Sequence, residues 1–128
     1  MSKKFSELVK TLNEDRDKKI EDVFGVLSSK KLSRKEKYLK LVTLTNDSAL
    51  KYDCEVIKND EIDSQKETFF IKSLLINIIG ENMPAIYSLL NQENLKKKES
   101  AKLATDITAD YSNKINESLG KLKSLSCK

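Results

Sequence analysis

A chain of 128 residues, 34% charged and 38% hydrophobic, has the size of a single domain and enough apolar side chains to bury a core without metal or disulfide staples. Its 3 Gly and single Pro leave little to punctuate β structure, so helix is expected nearly throughout. No histidine is present, which removes the commonest acid–base and metal-ligating side chain, and with no phosphate-binding glycine loop or metal-ligand spacing an enzyme is disfavoured.

The first segment carries Phe5, Leu8, Val9, Leu12, Ile20, Val23, Phe24 and Leu27 at three- and four-residue steps, which predicts a helix over Phe5–Ser28. Its stripe is interrupted where Arg16 and Lys19 replace apolar residues, so the middle of the helix either snorkels those side chains towards water, the favoured reading, or faces a polar partner. Ser33 and Glu36 form a capping-box signature that starts a second helix. The stripe Tyr38, Leu41, Val42, Thr45, Ala49, Tyr52 and Val56 extends it to about residue 58. Ser64 and Glu67 repeat the signature ahead of FFIKSLLINII, residues 69–79, where eight of eleven side chains are apolar. This third helix reads as the buried centre of the domain, stopped by Gly80 as a left-handed cap.

Pro84 fits the first turn of a fourth helix, where its missing N–H has no partner to lose. The stripe Leu103, Ile107, Tyr111, Ile115, Leu119 and Leu122 continues it to about residue 125. Leu95 lies out of phase, so a kink or break is expected between Asn91 and Lys96. Short connections then predict an all-α, up-down antiparallel helical bundle of four helices, five if the last one breaks, as a single domain over 1–128 with frayed ends.

The apolar run is shorter than the roughly 20 residues of a membrane span and contains Lys72, so no transmembrane segment is expected. MSKKF is followed by alternating polar residues rather than a continuous apolar stretch, so no secretory signal is read and a cytoplasmic location is expected. Cys54 and Cys127 read as free thiols, although the topology would bring them to one pole. The carboxylates around residues 53–67 lack the regular spacing and central glycine of a calcium loop, and no cofactor is expected.

Under that topology Lys30, Lys31, Arg34, Lys35, Lys37 and Lys40 around the first turn would share one end of the molecule with Lys96, Lys97, Lys98 and Lys102. The acidic second turn would mark the other end. Off the main stripes, Leu95 with Ile86, Leu89 and Leu90 offers a candidate contact surface for a protein partner. The sequence therefore predicts a small non-enzymatic protein-interaction module acting by stoichiometric binding: an assembly factor, chaperone, inhibitor or immunity-type protein, with self-association through the last helix an option. The alternative is a nucleic-acid-binding accessory protein whose contacts are Lys30, Lys31, Arg34, Lys35, Lys37, Lys96, Lys97 and Lys98. Against it, only Arg16 and Arg34 of the 24 basic residues are arginine and few aromatics are available for stacking. The Lys, Asn and Ile bias matches an AT-rich coding sequence and suits a bacterial, phage or plasmid accessory protein.

Overall fold

The computed structural model describes residues 3–59 and 62–126. Among them the chain is all-α, a helical bundle without strands. The helices are α1 (Lys3–Ser28), α2 (Arg34–Leu41) with a 3-10 turn over Val42–Leu44, α3 (Ser48–Asn59), α4 (Ser64–Gly80), α5 (Met83–Asn91) and α6 (Lys97–Ser126).

Local chemistry explains the boundaries. Ser33 caps α2 with a complete capping box: its hydroxyl accepts from Glu36 N at 3.2 Å, and Glu36 accepts from Ser33 N at 3.4 Å. The continuous helix expected over residues 33–58 is divided. Thr45 Oγ1 accepts from Asp47 N at 3.1 Å, and Asp47 Oδ1 accepts from Leu50 N at 3.0 Å, so Thr45-Asn46-Asp47 form a turn that ends one helix and caps the next. The interruption also shifts the phase. In α3 the core side chains are Cys54 and Ile57, flanked by Leu50, while Tyr52 is 69% exposed and Ala49 is exposed. At α4 the cap is Asp63 rather than Ser64: Asp63 Oδ1 accepts from Lys66 N at 2.9 Å, and Glu67 turns away to Tyr38 and Arg34.

Gly80 is not a left-handed cap, since no glycine has positive φ. The backbone stays in the right-handed helical region through Glu81 and Asn82, so α4 passes into α5 with only a two-residue turn, and Pro84 sits in the first turn as expected. Together Ser64–Asn91 make a 28-residue stretch that by length and composition could cross a membrane. Leu74, Leu75, Ile78, Ile79 and Ile86 on this stretch are at most 1% exposed and belong to the protein's core clusters, as expected of a core helix. The break expected between Asn91 and Lys96 is present.

Side-chain pairings fix the directions. Between α1 and α6, Asn13 meets Tyr111, Arg16 meets Asp110, Asp17 meets Lys114 and Phe24 lies beneath Lys121, so the two helices run in the same sense. Tyr87 on α5 bonds Thr108 and Ala104, whereas Thr68 and Lys72 on α4 lie with Leu119 and Leu122, so α4–α5 runs opposite to α6. These three form the long frame. The α2–α3 hairpin packs on one half of it, tied by Tyr38 to Glu67 and by Thr45 to Asn77.

The core has two parts. The larger, at the hairpin end, gathers Val23, Phe24, Tyr38, Leu41, Cys54, Ile57, Leu74, Leu75 and Ile78. The smaller centres on Ile79, Ile86 and Tyr111, with Val9, Leu12 and Ile107 against it. The run over residues 69–79 is the enclosed helix the sequence predicts, although Phe69 at 71% and Ile76 at 45% exposed form a narrow outward stripe.

Candidate binding groove between the first and last helices

The division at 42–47 adds one reversal of the chain, and this relocates the basic clusters. Lys30, Lys31, Arg34, Lys35 and Lys37 lie just beyond the C-terminus of α1, the end at which Lys121 covers Phe24. Lys96, Lys97 and Lys98 begin α6 at the other end, where its first turns face Phe5 and Val9. About 36 Å of helix separates Lys97 from Lys121, so the single basic half expected from the sequence is not assembled. The acidic second turn is not the opposite pole either, because Arg34 reaches Glu67 at 3.2 Å. Lys37 is turned inward, its Nζ donating to Leu27 O at 3.2 Å. Cys54 is a buried free thiol, and Cys127 lies outside the described residues, as do Asp60 and Glu61.

The apolar contact surface also needs correction. Ile86 and Leu90 are buried at 0% and 3% exposure, because α5 turns that side into the core. Leu95 is half-buried in the 92–96 connection, where its N–H donates to Glu93 O at 3.0 Å. Ile86 and Leu90 therefore offer no open apolar side chain to a partner. Leu89 instead lines a small cleft with Phe5 and Leu8 at the start of α1.

A recessed surface with apolar lining lies along the seam of α1 and α6. A groove of about 450 Å³ opens there, floored by Phe5, Val9, Leu103 and Ile107. Its rim carries Ser6, Lys10, Asn13, Glu14, Asp17 and Asp106. Phe5 is buried and the other three floor residues are half-buried, and Val9 and Ile107 pack against the smaller core cluster. The volume falls in the range of small-ligand pockets, roughly 300–1,000 Å³.

A buried cation lies beside this groove, bonded to Asp17 of its rim. Arg16 is 2% exposed, with Nε donating to Asp17 Oδ1 at 3.0 Å and Nη1 to Asp110 Oδ2 at 2.7 Å. Its guanidinium stacks over the Tyr111 ring at 4.6 Å, and Tyr111 donates to Asn13 Oδ1 at 3.3 Å. Burial alone would lower the Arg16 pKa, but the hydrogen bonds to Asp110 and Asp17 outweigh it and the value is raised. Arg16 thus faces polar partners on α6 rather than snorkelling to water. Lys19 is likewise anchored, to Glu81 at 3.3 Å. The interruption of the first helix's stripe was the visible trace of this contact.

Comparison with protein-family models, with curated proteins and with solved structures finds no match to the chain.

Proposed function

We propose that this protein is a small non-enzymatic interaction module that acts by stoichiometric binding of a protein partner, with the α1–α6 groove as its contact surface. One observation carries the reading: the apolar side chains Phe5, Val9, Leu103 and Ile107 line an open trough between two long helices, edged by polar side chains. Such a trough suits an apolar ridge supplied by another molecule, the way an amphipathic helix lays its apolar face into a groove. The framework behind it is tied together by the Arg16–Asp110 and Lys114–Asp17 pairs, which join α1 to α6 beside the groove without filling it.

Ser6→Trp tests this. Ser6 is exposed on the rim, so an indole there fills the mouth without disturbing the core. With a native circular dichroism spectrum, the variant is expected to lose a partner that the parent protein captures stoichiometrically. Undiminished capture by the folded variant contradicts the assignment.

A further inference from the structure

Resting on the reading of the α1–α6 groove as the contact surface, we infer that its occupant is a cationic amphipathic helix, apolar along one face and carrying Lys or Arg along its flanks. The floor and the rim make separate demands. Four apolar side chains at the bottom call for an apolar ridge, while the rim sets Glu14, Asp17 and Asp106 against the single cation Lys10. This local excess of negative charge belongs to a chain whose formal net charge is +4, so the groove departs in sign from the molecule that carries it.

The cations nearby reduce that excess to one net negative charge, with Glu14, Asp17, Asp106 and Asp110 against Lys10, Arg16 and Lys114. Lys10 lies 3.9 Å from Glu14 with both side chains more than two-thirds exposed, a pairing that water and salt largely screen. The Arg16 guanidinium is shared between Asp17 and Asp110, and Lys114 stands 3.8 Å from Asp17. Asp106 makes no ion pair among the described residues. An incoming helix with basic flanks meets carboxylates on both walls, Glu14 and Asp17 from α1 and Asp106 from α6. One with acidic flanks meets repulsion on both.

Two synthetic peptides test this: helical designs with the same Leu stripe and either Lys or Glu at every flanking position, each titrated calorimetrically against the full chain. The Lys peptide is expected to bind at least about tenfold more tightly than the Glu peptide, with affinity falling as salt rises. Glu14→Lys combined with Asp106→Lys, both exposed positions, is expected to erase or reverse the preference, and Ser6→Trp to weaken the Lys peptide. Equal binding of the two peptides, with loss in Ser6→Trp, overturns the charge assignment and leaves the groove standing. No binding of either, or binding indifferent to Ser6→Trp, overturns both. A salt-insensitive dimer by light scattering that becomes monomeric in Ser6→Trp makes the occupant a second copy of this chain and overturns the inference.

Discussion

Arg16 on α1 and Asp110 on α6 meet at 2.7 Å across 94 residues of chain, and the arginine is 2% exposed while the aspartate is about half exposed. The guanidinium therefore sits inside the bundle with its counter-charge at the boundary. Removing one partner of such a pair costs more than replacing the arginine by an apolar side chain of similar length, because only the first change leaves a buried charge short of a partner. Asp110→Ala is expected to lower unfolding stability by about 1–2 kcal/mol, the low side for a charged hydrogen bond because Asp110 is half exposed and Asp17 remains. Arg16→Met is expected to stay within about 1 kcal/mol of the parent. Urea titration of both variants checks this, and the reverse ordering contradicts it.

The cap of α4 gives a sharper local test, because two neighbouring residues compete for the role. Asp63→Ala removes the acceptor for Lys66 N and is expected to cost about 1 kcal/mol. Ser64→Ala, at the position that the Ser64–Glu67 pattern suggests, is expected to change stability by less than about 0.5 kcal/mol. Equal losses in thermal or urea unfolding contradict the assignment.

The outward stripe of α4 predicts a contrast within one dipeptide. Phe70 is 7% exposed in the larger core, its ring 6.0 Å from that of Tyr38, while Phe69 is 71% exposed. Phe70→Ala is expected to cost about 3–5 kcal/mol, and Phe69→Ser less than about 0.5 kcal/mol. Denaturant midpoints of the two variants report the difference directly.

Alkaline pH should expose Cys54. Burial, then the nearby Asp53 and Glu55 charges, push its thiol up to about 11. The folded value lies above the unfolded one, so the folded state holds the proton more tightly. The associated stability is fully present below the unfolded pKa of about 9, and is lost as pH rises towards 11. In a Cys127→Ser background, the protein is expected to react slowly with a thiol reagent at pH 8 until it unfolds. Cys54→Val is expected to reduce the fall in stability between pH 9 and 11. Rapid reaction of the native thiol contradicts its enclosure.

The helical class, the Ser33 capping box, the enclosed central helix and the break after Asn91 were all legible because each rests on local periodicity or a short-range hydrogen bond. The division at 42–47 was missed because Thr45 fell in phase with Tyr38 and Leu41. It is indeed 1% exposed, yet it reaches the interior as a turn residue bonded to Asn77 rather than as part of a helix. The physical signal was Thr-Asn-Asp, three residues whose side chains compete with helical backbone hydrogen bonds. That omission reversed the sense of α4, and the reversal expected at residues 80–84 falls instead at 92–96; together these joined Lys30–Lys37 to Lys96–Lys98 and separated the acidic second turn from Arg34. Ile86 and Leu90 appeared available because the sequence does not show that α5 is packed against both α1 and α6. The groove itself depends on the spacing of α1 and α6, helices some ninety residues apart in the chain, which no local pattern encodes.

The most direct test of the groove as the working surface is photo-crosslinking in cells. A benzophenone amino acid is placed at Ser6 or Asp106 on the rim, and, as a control, at Lys51 on the exposed side of α3. One discrete protein adduct is expected from both rim positions and none from Lys51. An adduct from Lys51 with none from either rim position would contradict the groove assignment.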